Sequence, residues 1–494
     1  MTAKEKLYAL EKKLTAYGHA MGILMYDGST TAPSATAANR GETLAMLSEE
    51  SYKISTSEET RAILQELSEN AESLDPVTKR IVTLRLRDME EISKIPMDEY
   101  IEYQKLINES DDVWHKAKAN DDYDSFAPYI DKIVAFNKRF ASYVRPDMDA
   151  YDYALDRFEK GLTRETLDKF FENLRVTLAP TVALVKSAVP VDESPLNEIM
   201  PLDVQRKFSD LLMDILLLDR SHVGIGETEH PFTTSFTRHD VRITTNYSEE
   251  HYASSMYSVI HEGGHALYEA NTDVNNAYNC AGNAASMAVH ESQSRFYENI
   301  IGRSIAFVKM LSPKLKALCP ALEKYTDEEL YRAFNASKPS LIRTEADELF
   351  YSYHIMIRYE LEKRLFTGEI TAKELPDEWN KMYKEYLGVI VPNNREGVLQ
   401  DTHWSGGMFG YFPSYALGSA YGAQLYARMK ETVDIEGDVE KGDLTNINEW
   451  LRQNIWTIGS MLEPGEIMER AFGGKFDPSY YTNYLKEKYE TIYG

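Results

Sequence analysis

The stretch VIHEGGHALYE, residues 259–269, holds two of the eleven histidines of this 494-residue chain, four positions apart. In a helix, positions i and i+4 lie on one face about one turn apart. His261 and His265 can therefore direct both imidazoles at a single cation. Glu262 projects roughly 100° further round the same helix, where it could act on a water molecule beside that cation. The alternative is a core helix with two buried polar histidines.

A metal site needs one more protein ligand. The HExxH pattern is typical of zinc metallopeptidases, in which a catalytic zinc takes three protein ligands and leaves one position for water. The metzincin arrangement requires a histidine six residues after the second one, but that position is Asn271, so this class is excluded. The other arrangement uses a glutamate from a following helix. Residues 284–302 predict such a helix after an Asn-rich loop at 271–283.

Glu291 is the predicted third ligand, with Arg295 one helical turn further on to hold it. Two antiparallel helices joined by the polar loop can pack side by side and bring this carboxylate over the histidines. Glu298 is a weaker candidate for the same position. The alternative for Glu291 and Arg295 is an ordinary solvated ion pair at i,i+4 spacing.

Most of the remaining chain predicts helices. Residues 347–368 place apolar side chains at steps of four and then reach Gly368, as an amphipathic helix with a stop signal would. The apolar positions are Leu349, Tyr353, Ile357, Leu361 and Leu365. Similar patterns occur in residues 1–20, 98–118, 163–188, 203–219 and 446–462. Only residues 231–247 suggest strands, because β-branched and aromatic residues alternate there around a polar break at 238–240.

These patterns predict a mainly α fold: one large helical body around a deep central groove, with one small β-sheet near the active site. Residues 28–39 are the only stretch that resembles a flexible loop by composition. Because no internal repeat and no long linker divides the chain, we predict a single unit of residues 1–494, with two lobes around the cleft as its variant.

Composition excludes some functions. With 54 basic and 79 acidic side chains and a formal charge of -25, the chain offers no basic cluster for nucleic acid. We find neither a secretion signal nor the roughly 20 consecutive apolar residues that a membrane span needs. The two cysteines, Cys280 and Cys319, are expected to be free thiols in a reducing compartment. We therefore predict a cytoplasmic protein without nucleic-acid or membrane partners.

Several motifs together resemble one known family. HEGGH at 261–265 followed by HESQSR at 290–295 is similar to the thermostable carboxypeptidase 1 family, also called carboxypeptidase Taq or metallopeptidase family M32. Its other motifs are matched by HPF at 230–232, DVRIT at 240–244, IRTEAD at 342–347 and GVLQDTHW at 397–404. Similarity also extends through residues 153–168 and 409–424. One departure occurs at residues 25–42, where the family usually has Trp-Asp and then Met-Pro; this affects the rim of the groove rather than the chemistry.

The resemblance implies a metal-dependent carboxypeptidase that acts on peptides with broad tolerance and releases proline poorly. It also implies a homodimer with one divalent metal per chain, Zn²⁺ or alternatively Co²⁺. On this interpretation Glu262 is the general base and later the general acid. Two alternatives are an oligopeptide endopeptidase of similar helical fold and a catalytically silent peptide-binding protein. The intact Glu262 argues against the second, since a binder would need the metal ligands at most.

An exopeptidase must also recognise the terminal carboxylate, which an arginine can bind through two parallel hydrogen bonds. Arg242 and Arg343 lie inside family motifs and are the candidates, whereas Arg395 is less favoured. The alternative for each is a structural salt bridge, for example between Arg343 and Asp347. The sequence does not distinguish between the two candidates.

Two further roles follow from similarity to related helical metallopeptidases. His403, with Tyr411 or Tyr415, is expected to donate to the oxygen that becomes negative during hydrolysis, and Tyr415 is the preferred tyrosine. The strand predicted for DVRITT, residues 240–245, could border the cleft and pair its free edge with an extended substrate. Alternatively, that strand closes the small sheet and uses Asp240 and Arg242 as an internal pair.

Overall fold

The computed structural model describes all 494 residues, and helices form most of it. The first part of the chain contains α1 Ala3–Thr30, α2 Ala37–Thr56, α3 Glu58–Glu69, α4 Pro76–Lys94, α5 Met97–Asn120, α6 Tyr123–Val144, α7 Ala150–Asp156, α8 Arg164–Ser187 and α9 Leu202–Ile215. Three strands follow, β1 Val223–Glu227, β2 Thr233–Thr237 and β3 Asp240–Thr245. The mainly helical fold with one small sheet is therefore confirmed.

The second half of the chain is helical again. It contains α10 Tyr252–Ala270, α11 Met287–Arg295, α12 Ile305–Leu318, α13 Asp327–Phe334, α14 Glu348–Thr367, α15 Leu375–Met382, α16 Pro413–Met429, α17 Ile435–Lys441, α18 Thr445–Asn454, α19 Pro464–Phe472 and α20 Ser479–Tyr493. A π-helical turn, Phe296–Ile301, extends α11. None of the helices combines the length and the apolar character that crossing a membrane requires.

Helix α14 shows both what the periodicity predicted and what it missed. The Asp347 side chain accepts hydrogen bonds from the first turn, and Gly368 ends the helix with a φ of 78°. The helix is nevertheless buried on nearly every side, including the positions of Arg358 and Glu362. The predicted amphipathic character is wrong because α14 runs through the core and its polar residues form ion pairs there.

Three predicted boundaries differ from the structure. The loop predicted for residues 28–39 is mostly helical, because α1 continues to Thr30, a 3-10 turn covers Ser34–Thr36 and α2 begins at Ala37. The helix predicted for 203–219 ends at Ile215, after which Leu217 adopts a φ of 62°. The helix predicted for 446–462 ends at Asn454, and a separate 3-10 segment, Trp456–Met461, follows it. The two helices and the loop are therefore all shorter than predicted.

The small sheet has the order β1-β3-β2. Strands β2 and β3 pair antiparallel around the break at residues 238 and 239, which confirms the predicted hairpin. Strand β1 pairs parallel to β3 and was missed, because its sequence VGIGE contains two glycines. The free edge predicted for β3 is wrong, since β3 is the central strand with both edges paired. Strand β2 is the edge strand on the side of α10.

Both cysteines are buried free thiols, as predicted. Cys280 lies in the loop between α10 and α11, and its backbone N–H donates to Glu11 of α1 at 2.9 Å. Arg85 of α4 donates two hydrogen bonds to the same carboxylate, at 2.6 and 2.9 Å. Cys280 and Ala281 thereby complete a small second core beneath the N-terminal helices. The first helices are thus connected directly to the loop between the two helices of the predicted metal site.

Helices α10, α11 and α16 approach one another unusually closely. A Cβ atom on Gly264 of α10 would lie 2.7 Å from the carbonyl oxygen of Gln293 in α11. A Cβ atom on Gly418 of α16 would lie 2.5 Å from the Cγ of Glu291. Such separations are too short for any side chain, so both helices can pack against α11 only through glycine. The position of Glu291 therefore depends on two glycines.

A buried carboxyl group supports the start of α11. Glu159, 3% exposed, accepts a hydrogen bond from the backbone N–H of Ala288 at 3.2 Å. Burial raises the pKa of Glu159 from 4.5 to about 7, although Ser286 and the Ala288 N–H oppose the change. The carboxyl group is therefore protonated in the folded protein over a pH range in which the unfolded chain would ionise it.

We expect Gly418→Ala to weaken metal binding at least tenfold, because the new methyl group would displace Glu291. Gly422→Ala is the matched control: it lies one turn further along α16, where a Cβ would be 3.4 Å from its nearest neighbour. Both variants gain the same helix propensity. Competition between the metal-free protein and a chromophoric chelator measures the affinity. Equal affinities in the two variants would contradict the packing argument.

We expect Glu159→Gln to remove part of the pH dependence of stability. The protonated carboxyl group stabilises the folded state below about pH 4.5, and this contribution is lost as the pH rises through about 7. The difference is on the order of 3 kcal/mol at most. The thermal midpoint of the variant should therefore rise relative to the unmodified protein between pH 5 and pH 8. A constant difference across this range would show that Glu159 does not titrate as described.

Candidate metal centre

Three side chains from two helices converge on one point. His261 and His265 extend from α10 and Glu291 extends from α11. The Nε2 atoms of the two histidines lie 3.8 and 3.4 Å from Oε2 of Glu291, and the three ligand atoms are all within 4.8 Å of one another. The structure thus brings together the three residues predicted as metal ligands, from positions up to 30 residues apart (291 minus 261).

The donor set fits a divalent metal. A tetrahedral ion with ligands about 2.0–2.1 Å away holds neighbouring ligand atoms about 3.3 Å apart, close to the separations found here. Burial and the neighbouring His290 together lower the pKa of His265 to about 3, so the imidazole is neutral as a ligand must be. Glu291 is ionised: burial raises its pKa, but Arg295 and His261 bring it well below its usual range.

Glu298, the weaker ligand candidate, has a different position. Its Oε2 lies 2.9 Å from Nδ1 of His261, on the side of the imidazole away from Glu291. Arg295 donates to the same carboxylate at 3.1 Å and Arg303 at 3.3 Å. Glu298 therefore orients a ligand from behind, the arrangement in which a carboxylate fixes the ring and tautomer of a metal-binding histidine.

The second imidazole, that of His265, has a partner that was not predicted from the sequence. Nδ1 of His290 lies 2.5 Å from Nδ1 of His265, and Nε2 of His290 lies 2.8 Å from Oε1 of Glu269. A signal existed in the sequence, because His261, His265 and Glu269 follow at steps of four on α10 and His290 immediately precedes Glu291. Each predicted histidine ligand thus has a second hydrogen-bonding partner.

Glu262 is held beside the histidines by the edge strand. The hydroxyl of Thr233 in β2 donates to Oε2 of Glu262 at 2.5 Å and lies 3.0 Å from its backbone oxygen. Burial raises the pKa of Glu262, while His261 and the Thr233 hydroxyl partly oppose this change. A raised pKa suits a carboxylate that takes up a proton near neutral pH. Thr233, directly after the HPF motif, was not predicted.

A cavity of about 570 Å³ opens over these residues. His261, Glu262 and Glu291 form part of its wall, together with Arg343 and Tyr415 from the predicted set. Arg295 and Arg303 line it as well, and Arg303 was not among the predicted residues. The apolar part of the wall comes from Leu196, Pro231, Ala253, Tyr257, Ala333, Phe334, Ala336, Ala346 and Tyr351.

The candidate arginines lie in different places. Arg343 is 8% exposed and pairs with Asp401 rather than Asp347, at distances from 2.8 to 3.2 Å, while its Nη1 donates to the hydroxyl of Tyr351. Arg242 is not part of the cavity wall; it pairs with Asp240 and packs over Tyr26 and Phe236.

Arg395 is exposed and donates to the backbone carbonyls of Lys118 and Ala119. It is not part of the cavity wall either. Of the three predicted arginines, the structure therefore brings only Arg343 to the candidate metal centre.

His403 and Tyr411 lie behind Tyr415 rather than in the cavity wall. The ring of His403 stacks on Tyr411 with centroids 5.5 Å apart, and Tyr415 contacts both rings edge-on. Burial lowers the pKa of His403 to about 3, with a further contribution from Arg358. The imidazole is therefore neutral and can act as a hydrogen-bond donor without a charge change.

Comparison with known proteins agrees with this geometry. Residues 6–489 match the family described as Carboxypeptidase Taq (M32) metallopeptidase. Carboxypeptidase 1 of Bacillus subtilis (strain 168) is 38% identical over 495 residues, which cover 100% of this chain and 99% of the relative. Thermostable carboxypeptidase 1 of Pyrococcus furiosus is 34% identical over 494 residues, 98% of each protein.

A solved structure agrees as well. The crystal structure of the M32 carboxypeptidase from Deinococcus radiodurans R1 superposes with a TM-score of 0.97 at 32% identity and covers 100% of both chains. The fold, the convergent ligands and the match over almost the whole length lead to one conclusion. This chain belongs to the carboxypeptidase Taq (M32) family of metallopeptidases, which are metal-dependent peptide hydrolases.

Proposed function

We propose that this protein removes single amino acids from the carboxyl end of peptides, with His261, His265 and Glu291 as the metal ligands. The observation that carries the proposal is their convergence beside a cavity whose wall includes His261, Glu291, Glu262 and three arginines. A catalytic metal needs an open position for water and substrate, which a buried structural site lacks. The cavity supplies that access.

A divalent metal held by these ligands would activate water and polarise the scissile carbonyl group. Zinc is the metal that we propose, with cobalt as the alternative, because nitrogen and oxygen ligands accept both. Within the chain, Glu262 takes a proton from the attacking water and returns it to the leaving amine. Thr233 keeps the carboxylate of Glu262 at the cavity wall during both proton transfers, since the Thr233 hydroxyl donates to one of the carboxylate oxygens.

Arg343 is the residue that we propose for the substrate carboxylate. Its contacts with Asp401 and Tyr351 use three of the five guanidinium N–H groups, so two remain for a ligand in the cavity. Arg303 is the second candidate, because it also lines the cavity and its contacts with Glu298 and Phe334 leave N–H groups available. Arg242 and Arg395 are not proposed, because neither lines the cavity.

Tyr415 is our preferred donor to the developing oxyanion, because its side chain lines the cavity. His403 and Tyr411 contact the ring of Tyr415 on the side away from the cavity, so we propose that their main role is to orient Tyr415. A substrate in extended conformation could pair with the free edge of β2, the strand that also carries Thr233. This transfers to β2 the alignment role that was expected of β3.

Family membership supports the remaining details of the proposal. These are broad side-chain tolerance with poor release of proline, a homodimer, a cytoplasmic location, and residues 1–494 acting as one carboxypeptidase unit. The two buried free thiols suit a reducing compartment.

We expect Glu262→Gln to lower kcat by about 100- to 10,000-fold, because the amide cannot accept the proton of the attacking water. Metal content should stay unchanged, since Glu262 is not among the ligands. Digestion of a defined peptide followed by mass spectrometry should give a ladder of C-terminal losses for the unmodified protein. The ladder should vanish with a chelator and return with added zinc. A kcat of the variant equal to that of the unmodified protein would show that Glu262 is not the general base.

We expect Arg343→Lys to lower kcat/KM for a free-acid peptide by about 10- to 100-fold, because lysine loses the paired hydrogen bonds to the carboxylate. Hydrolysis of the corresponding C-terminal amide should change little. Arg303→Lys is the matched control in the same cavity, with thermal midpoints to verify folding. If only Arg303→Lys removes the preference for the free acid, the anchor is Arg303. Equal cleavage of acid and amide by the unmodified protein would instead indicate an endopeptidase.

A further inference from the structure

His290 has no place among the ligands or the catalytic groups described above, yet it contacts both a ligand and a carboxylate. It follows α10 in the chain by 20 residues (290 minus 270) and belongs to α11. Its ring lies 4.4 Å from the ring of His265, centroid to centroid. On α10, His265 and Glu269 lie one turn apart, and His290 spans the gap between them through its two nitrogens.

The direction of these hydrogen bonds is set by counting protons. Two Nδ1 atoms that face each other at 2.5 Å can share only one proton. An ionised carboxylate only accepts, so Glu269 requires the proton of His290 to be on Nε2. With one proton on each imidazole, His290 has a lone pair on Nδ1, and the shared proton belongs to Nδ1 of His265. The Nε2 of His265 is left with a free lone pair facing Glu291.

We propose that Glu269 and His290 form a positioning relay that keeps His265 in the tautomer with Nε2 free for the metal. The proposal rests on the metal site described under the proposed function. His290 and Glu269 touch neither substrate nor metal; they act through His265. The carboxylate of Glu269 accepts the Nε2 proton of His290, and Nδ1 of His290 then accepts the Nδ1 proton of His265.

The two histidine ligands therefore differ in how they are supported. His261 has a carboxylate, Glu298, directly on its second nitrogen, and that carboxylate is shared with Arg295 and Arg303. Glu269 is hydrogen-bonded to His290 and forms no salt bridge with lysine or arginine. Its charge is consequently not divided among cations, and the relay gives His265 support of the same kind across a longer distance.

Three variants test the relay through metal binding rather than activity. His290→Leu removes the acceptor for the Nδ1 proton of His265 and should weaken zinc binding 10- to 100-fold. His290→Asn offers an oxygen near the position of Nδ1 and should restore most of the affinity. Glu269→Gln keeps the size but can donate to His290, which reverses the relay and should weaken binding about tenfold. His115→Leu, at an exposed position of α5, is the matched control.

Each metal-free variant is titrated with zinc against a chromophoric chelator, and its thermal midpoint is measured without metal. The cobalt-substituted proteins are compared by visible absorption, which reports the ligand field and should shift in His290→Leu and Glu269→Gln.

A merely structural role would lower the midpoint and leave the cobalt spectrum unchanged, which overturns the proposal. So would equal zinc affinity in His290→Leu and the unmodified protein, or no rescue by asparagine. If the zinc affinities follow the expected order but the unmodified protein cleaves no peptide, the proposed function is refuted while the relay stands.

Discussion

The separation between α10 and α11 is the constraint on which the whole site depends. Two ligands lie on one helix and the third on the other, so a change in helix separation moves Glu291 relative to both imidazoles. Gly264 allows the close contact because its missing side chain leaves room for the backbone of α11. In α16, Gly418 leaves the space that Glu291 occupies. Dense packing by α10 and α16 gives Glu291 little freedom to move, which suits a preorganised ligand.

Charge balance supplies a second argument for a divalent ion at this position. Close to the predicted ligands, the carboxylates of Glu262, Glu291 and Glu298 lie beside the guanidinium groups of Arg295 and Arg303. The third arginine of the cavity wall, Arg343, is already paired with Asp401. Buried charges are stable only when they are paired, and this group alone carries a net charge of -1. A divalent ion changes the balance to +1. Since Glu193, Glu345 and Asp347 line the same cavity, this positive charge is confined to the immediate surroundings of the ion.

The sequence predicted local features and missed those that arise from contacts between distant segments. His261, His265 and Glu291 follow from helical spacing and from a helix that must return past its neighbour. Strand periodicity likewise indicated the hairpin of β2 and β3. No such spacing connects Thr233 with Glu262, because that hydrogen bond joins an edge strand to a helix 29 positions later in the chain (262 minus 233). Strand β1 was missed because two glycines conceal its alternation, and its pairing with β3 is a tertiary event.

The arginines show why a motif does not reveal the role of its charged residue. Arg242 and Arg343 both occur in matched motifs, and each forms a two-pronged ion pair with an aspartate. They differ in what lies on their other side. Arg242 packs its guanidinium against Tyr26 and Phe236 and so fastens α1 to the sheet. Arg343 is more deeply buried, yet it faces the cavity with unused N–H groups. A guanidinium group that is paired with an aspartate through some of its N–H groups can still donate through the others. Only the surrounding fold determines whether these remaining N–H groups meet protein or substrate.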